Sequence, residues 1–426
     1  MGKLSFSKVV RSPHGLNTSP IAKIMAMADE KNIKTLGLNP KEVISFAGGW
    51  VNHPAPEGLR RAYRDIASRA ETFHESGGYS ATNGSFEIRR VLAAWEAQIM
   101  GARDITDKHV IVGQSSSQLM FSVLTALLDP GDTVLFFDPT YAHYFEQAFL
   151  AQRGRRIRSI RAFDERLWRY RDEDEILNDF VGALRYRPKL LVFASPENPT
   201  GHMFSDGFVR EVLTRAGRHG CVVAIDFAYS TFYYTTARPD HFSLSPAEFP
   251  NLVKVYSNSK WSRSLGRRFG WVIADTEVVQ ALKVVQQALI LCPDTLHQAA
   301  LISYLKSNLK NGGVRTYLER VRKEYQRVAE FTMKCVERFL GVRYVAPLGG
   351  LYVTIEMTGG AERFVQRALR ETAVLAVSGT HFGKSLQKGV RISFGPLVND
   401  TQKIEEGFKR MRRLMRTHLK IPFRLR

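Results

Sequence analysis

The chain is poor in cysteine, has no long apolar run and carries no excess of acid. Only three cysteines occur among 426 residues, Cys221, Cys292 and Cys335, and none stands at metal-ligand spacing from another. That argues against a zinc site or a disulfide framework and suits a reducing compartment. Cys221 and Cys292 lie in apolar surroundings and read as core thiols. No apolar span is long enough to cross a bilayer. The stretch from Met1 to Ser19 lacks the apolar core of an export signal, so a cytoplasmic location off the membrane is expected. Acidic residues number 41 against 61 lysines and arginines, a net charge of +20. The basic residues are scattered, with concentrations at 153–171 and 409–426. No interleaved aromatic–basic motif accompanies them, so they read as solvated helix faces and no nucleic-acid partner is expected. There is no internal repeat or low-complexity linker. A chain of 426 residues with 44% hydrophobic content fits a large globular domain with a smaller one.

What the chain does have is a series of short apolar runs, each ending in a polar or aromatic residue. Leu252-Val253-Lys254-Val255-Tyr256 leads into Ser257-Asn258-Ser259-Lys260, and Trp271-Val272-Ile273-Ala274 follows a Ser- and Gly-rich stretch. The pattern reads as strand, loop, strand. Lys260 is then either a solvated loop residue or an amine nucleophile held where an ammonium is costly. Ser257 and Arg268 flank it with the donors an anionic phosphate needs. A lysine able to form a Schiff base beside a phosphate anchor suggests pyridoxal phosphate.

Other runs add to this. Val110-Ile111-Val112 runs into Gly113-Gln114-Ser115-Ser116-Ser117 before an apolar helix from Leu119 to Leu128. Serines there cap a helix, and the same geometry can cradle a phosphate. Thr133 to Phe137 ends at Asp138-Pro139-Thr140-Tyr141, and Tyr141 can stack on a planar ring or simply pack. Lys189 to Ala194 ends in Ser195-Pro196-Glu197-Asn198-Pro199, whose prolines hold Asn198 rigidly. Cys221 to Ile225 runs directly into Asp226, a carboxylate that needs a cation or a helix to cap. A protonated pyridine nitrogen is such a cation, and Tyr229 stands close enough to reach a ring hydroxyl. Ile44 to Trp50 places Gly48 and Gly49 where backbone approaches a ligand or merely turns. Tyr79 lies in a loop before the helix Phe86 to Met100. Arg391 interrupts an apolar strand, where pairing with a structural carboxylate is the plain reading and binding a substrate carboxylate the other.

Towards the C-terminus a long helical region, Leu296 to Leu340, breaks near Asn311-Gly312-Gly313. Short strands and helices follow, with one strand expected at Val374 to Val377 and a final amphipathic helix from Thr401 to Leu419. A short amphipathic piece is expected at Pro20 to Asp29.

Together these residues resemble the class I/II, fold type I pyridoxal-phosphate-dependent aminotransferases, from about Ser19 to Leu419. Pro20-Ile21, Ile44 to Gly49 and Pro347-Leu348-Gly349-Gly350-Leu351-Tyr352 are similar to the aminoadipate and kynurenine aminotransferase branch. The resemblance implies an α/β fold: a large domain with a mixed, mostly parallel seven-stranded sheet between helices, and a small α+β domain. It implies an N-terminal arm and part of the small domain at 1–55, a cofactor domain at 56–305 and the rest of the small domain at 306–426. It implies that Lys260 is the Schiff-base lysine and proton carrier and that Asp226 pairs with the pyridine nitrogen. Tyr229 and Asn198 would bond the ring oxygen and Tyr141 would stack on the ring. Ser115, Ser116, Ser117, Ser257 and Arg268 would hold the phosphate. Tyr79 would reach the phosphate of a partner subunit, which makes a homodimer with shared sites. Gly49, Trp50, Asn198 and Arg391 would bind substrate, Arg391 through its α-carboxylate.

Some positions depart from the pattern. Arg268 follows Lys260 by eight residues, where the aminoadipate-like branch has seven, so Arg267 is a second candidate. Trp50-Val51-Asn52-His53 replaces the usual Leu-Pro continuation, and His53, His143 and Tyr144 are candidates for a side-chain pocket. The implied activity is transfer of an amino group between an L-amino acid and a 2-keto acid. The alternative is a cyclase, lyase, oxidase or decarboxylase of the same fold.

Overall fold

The computed structural model describes residues 26–152 and 156–416. The expected piece at Pro20 to Asp29 and the basic tail at 409–426 lie partly outside the described residues. The centre of the fold is a seven-stranded sheet built from β1 (Val110–Gly113), β2 (Thr133–Asp138), β3 (Ile157–Arg161), β4 (Pro188–Ala194), β5 (Val222–Asp226), β6 (Leu252–Ser257) and β7 (Gly270–Ile273). The spatial order is β1-β7-β6-β5-β4-β2-β3. β7 runs antiparallel to both β1 and β6, and the other neighbours are parallel. Strands covered on both faces need apolar side chains on both, which is why they appear as unbroken apolar runs.

The two faces separate cleanly by alternation. Val110, Val112, Leu135, Phe137, Leu191, Phe193, Val223 and Ile225 point to one core, which helices Phe86–Trp95, Asp206–Arg218 and Thr295–Lys310 complete. Ile111, Val134, Phe136, Leu190, Val192, Ala224, Val253 and Val255 point to the other, closed by Ser116–Leu127, Ala142–Gln152 and Thr276–Leu289. Every parallel strand therefore ends on one side of the sheet. Ligands bind in such sheets beyond the carboxyl ends of the strands.

A second, antiparallel sheet has the order Tyr344–Val345, Tyr352–Glu356, Gly389–Ser393, Val377–Ser378. Helices Gly313–Cys335, Ala361–Thr372 and Thr401–Arg416 cover it. Helix Gly313–Cys335 joins the two bodies: Val314 and Leu318 belong to the larger core, Val321, Tyr325 and Val328 to the smaller.

Four expectations need correction. The described part of the basic stretch, residues 156–171, is not a helix face. It contains the edge strand β3 and a hairpin, Phe163–Asp164 with Arg169–Tyr170. The single strand expected at Val374 to Val377 is two: Val374–Leu375 pairs with Ile44–Ser45, and Val377–Ser378 joins the smaller sheet. Lys260 sits on a one-turn helix, Asn258–Trp261, and not in a loop. Cys292 is only partly buried, whereas Cys221 and Cys335 are buried, and all three thiols are free. Among the described residues no helix is long and apolar enough to cross a membrane.

Candidate active site

The carboxyl ends of β2, β4, β5 and β6 and the loop after β1 converge on a cavity of about 220 Å³. Ser115, Ser116, Ser117, Tyr141, Asn198, Asp226, Tyr229, Ser257, Lys260 and Arg268 line it, ten residues brought together from across the sequence. Asp226 is the last residue of β5 and is buried. Its Oδ1 accepts from the Ala228 N–H at 2.9 Å and its Oδ2 from the Tyr144 hydroxyl at 2.8 Å. Among the described residues no cation compensates it in hydrogen-bond contact, and burial pushes its carboxyl pKa up. A carboxylate so placed favours a cationic partner inside the cavity.

Lys260 follows β6 by one helical turn. Its Nζ donates to the Gly49 carbonyl at 2.6 Å. Burial lowers its pKa from the usual 10.5 to about 8, Asp226 opposes the drop, and Arg268 and Arg391 add to it. The amine is thus partly neutral near physiological pH, as a nucleophile or base requires.

On the opposite wall, helix Ser116–Leu127 points its N-terminus at the cavity. Ser115 precedes it at φ 91°, a conformation costly for a residue with a Cβ. Gly270 of β7 makes the approach possible, since a Cβ there would come within 2.8 Å of the Ser116 nitrogen and 2.5 Å of the Tyr256 carbonyl. Arg268 donates through Nη2 to Ser115 Oγ at 2.7 Å and through Nη1 to the Leu265 carbonyl at 2.9 Å. It meets no carboxylate among the described residues. Hydroxyls, helix N-terminal N–H groups and a guanidinium are the kinds of donor that a phosphate group takes. Arg267 instead lies over the Tyr63 ring, outside the cavity.

Arg391 is buried in the strand Gly389–Ser393. Its Nη1 donates to Asn198 Oδ1 at 3.0 Å and its Nη2 to the Ala47 carbonyl at 2.6 Å. The rings of Tyr352 and Phe382 lie 4.5 and 5.1 Å from the guanidinium carbon. Its Nε is buried with no partner. Among the described residues no carboxylate pairs with it, so the structural ion pair that the sequence suggested is absent.

A family model described as aminotransferase class I and II matches residues 41–411. The chain belongs to this family. It is 30% identical over 386 residues to a 2-aminoadipate transaminase of Thermus thermophilus, covering 88% of this chain and 90% of that one. It is 27% identical over 385 residues to an aspartate aminotransferase of Thermotoga maritima, covering 89% and 93%. Its fold is similar to that of the Thermus thermophilus aspartate aminotransferase solved with maleate, with a TM-score of 0.81, 23% identity and coverage of 96% and 100%. The protein is a pyridoxal-phosphate-dependent aminotransferase of fold type I. The cavity fits that cofactor: a buried carboxylate at one end, a lysine of lowered pKa beside it, and a cationic, hydroxyl-lined wall at the other.

Not every expected residue of this aminotransferase joins the cavity. Tyr79 is 86% exposed, and Trp50 is 41% exposed with its ring folded over Gly48. His53 is a core residue rather than a pocket residue. It bridges the Tyr325 hydroxyl and the Trp261 carbonyl at 3.0 and 3.1 Å, and burial lowers its pKa to about 4. His143 bonds Glu146. Tyr144 does line the cavity, where its hydroxyl donates to Asp226. Its place in the first turn of helix Ala142–Gln152, three residues after Tyr141, was the available signal. Two buried residues beside the site, Glu197 and Tyr352, have roles that the sequence alone does not assign. Glu197 accepts from the Asn198 and Ala194 N–H groups at 2.9 and 3.3 Å and so shapes the loop that holds Asn198. Tyr352 meets Tyr229, hydroxyl to hydroxyl, at 2.7 Å.

Proposed function

We propose that Lys260 is the amine that carries the cofactor and the base that moves the substrate Cα proton. Pyridoxal phosphate, when bound, supplies a carbonyl for the substrate amine and an electron-withdrawing ring that takes up negative charge. Asp226, oriented by Tyr144 and the Ala228 N–H, holds the proton of the ring nitrogen. Tyr229 and Asn198 take the ring oxygen and Tyr141 the ring face. Ser115, Ser116, Ser117, Ser257 and Arg268 take the phosphate. Arg391 receives the α-carboxylate, with Asn198 fixing its orientation and Gly49 and Trp50 beside the entrance. The substrates are an L-amino acid and a 2-keto acid, as the names of the relatives suggest. The single observation that carries this reading is Arg391, a buried guanidinium with no carboxylate partner among the described residues, bonded to Asn198 of the cavity that also holds a lysine whose pKa burial lowers to about 8.

The same reading extends to assembly and division. Tyr79, Phe73 and Phe86 are large exposed aromatics close in sequence, which supports an interface with a second copy and a Tyr79 that reaches the partner's phosphate. Residues 56–305 form the cofactor-binding domain; 306–426, with part of 1–55, form the small domain. The pairing of Ile44–Ser45 with Val374–Leu375 supports grouping those two segments. The enzyme works in the cytoplasm, in amino-acid biosynthesis. Borohydride reduction of the loaded enzyme, followed by peptide mass mapping, tests the role of Lys260. A pyridoxyl adduct on Lys260 is expected; an adduct on another lysine would overturn the assignment.

A further inference from the structure

Tyr352 opens the strand Tyr352–Glu356 of the smaller sheet, and Tyr229 lies three residues beyond the end of β5 in the larger one. Their rings meet edge to face at 5.7 Å and 85°, and their hydroxyl oxygens are 2.7 Å apart. Both side chains are buried. Gly49 closes over the pair: a Cβ there would come within 2.8 Å of the Tyr352 hydroxyl, while the Gly49 carbonyl accepts from Lys260 Nζ. The Tyr352 ring also lies against Arg391, 4.5 Å from the guanidinium carbon. A phenylalanine would supply all of that packing, so the packing leaves the Tyr352 hydroxyl unexplained.

Each phenol has one proton to give. Tyr229 is the only hydrogen-bond partner of the Tyr352 hydroxyl among the described residues. If Tyr229 gave its proton to Tyr352, it would have none for an acceptor in the cavity, and the Tyr352 proton would stay buried without an acceptor. Both costs vanish with the opposite polarity. We propose that Tyr352 is a positioning residue that donates its hydroxyl proton to Tyr229 Oη and so turns the Tyr229 proton towards the ring oxygen of pyridoxal phosphate. A donor that itself accepts a hydrogen bond is polarised into a better donor. The bond also ties the strand that carries Tyr352 to the turn after β5 that carries Tyr229. The inference rests on the assignment of Tyr229 to the ring oxygen.

The test compares Tyr352→Phe, Tyr229→Phe and the double variant, each loaded with pyridoxal phosphate and free of substrate. The readout is the pH midpoint of the visible cofactor absorbance, with thermal melting as a check on folding. A donor to a negatively charged ring oxygen favours the deprotonated form of the loaded site, so weakening it raises the midpoint. Tyr229→Phe should raise it by about 1 to 2 pH units, the worth of a hydrogen bond to a charged group. Tyr352→Phe should raise it by about 0.1 to 0.6 pH unit, the share that polarisation by one added bond supplies. The double variant should match Tyr229→Phe alone, because Tyr352 acts only through Tyr229. A Tyr229→Phe shift with none from Tyr352→Phe overturns the inference, as does an equal Tyr352→Phe shift in both backgrounds. No shift from Tyr229→Phe overturns the assignment of Tyr229, and the inference with it.

Discussion

Replacing Arg391 by methionine separates a residue kept for stability from one kept for substrate. In the free enzyme the guanidinium is buried, and among the described residues it has no carboxylate partner and its Nε no acceptor. It makes two hydrogen bonds to neutral acceptors, Asn198 Oδ1 and the Ala47 carbonyl. Hydrogen bonds involving a charged group contribute about 1.5–3 kcal/mol each. Taking a charge out of water costs several kcal/mol, so the two effects nearly cancel. Methionine keeps a flexible apolar side chain between the Tyr352 and Phe382 rings. Arg391→Met should therefore change unfolding free energy by no more than about 1 kcal/mol in either direction. Binding is different, because a substrate carboxylate entering this site without the guanidinium is a buried anion left unpaired. That loss is about 2–5 kcal/mol, or roughly 30- to 5,000-fold in kcat/KM. The assays are denaturant unfolding of the apoenzyme and steady-state kinetics with amino acid and keto acid. A loss of several kcal/mol of stability, with kcat/KM falling only as the folded fraction falls, would refute the reasoning and make Arg391 a structural residue.

Two further outcomes follow from the same geometry. Arg268→Gln should weaken pyridoxal phosphate binding by about 10- to 100-fold, the worth of a charge-assisted bond, while Arg267→Gln leaves it unchanged. Equilibrium titration of apoenzyme with cofactor checks this, and the reverse ranking would move the phosphate contact to Arg267. In the apoenzyme Lys260 has its pKa lowered from 10.5 to about 8. The unfolded chain then binds more protons between those values, so apoenzyme stability should rise as pH increases from about 8 towards 10.5. Lys260→Met should flatten that rise in denaturant titrations at several pH values, and an unchanged slope would contradict the buried amine.

Much of this fold was legible because most strands of the larger sheet are buried on both faces and so appear as continuous apolar runs. β3 escaped because it is an edge strand: Arg158, Ser159 and Arg161 face outward and only Ile160 is fully buried, so its composition is that of a surface. The cavity-lining residues were legible because each stands at the end of an apolar run or in a turn rich in serine or proline. Tyr352 was not, because an aromatic in a strand looks like core until its hydroxyl partner is seen, and Tyr144 was a candidate whose partner, Asp226, only the structure shows. His53 misled for the converse reason. Its place in the loop after Gly49 suggested a pocket, yet its two ring nitrogens are satisfied by Tyr325 and Trp261 in the interior. Arg391 was the hardest to judge. Sequence cannot say whether a buried arginine has found its carboxylate, and among the described residues this one has not.

The most direct test of the central claim is a half-reaction. Purified enzyme loaded with pyridoxal phosphate is mixed with single L-amino acids and no keto acid, and absorbance and products are followed. Transamination through Lys260 predicts that one amino acid converts the cofactor to pyridoxamine phosphate and yields one equivalent of the matching keto acid per site, with the Lys260→Ala variant inert. Carbon dioxide, ammonia or peroxide released without pyridoxamine phosphate would contradict it.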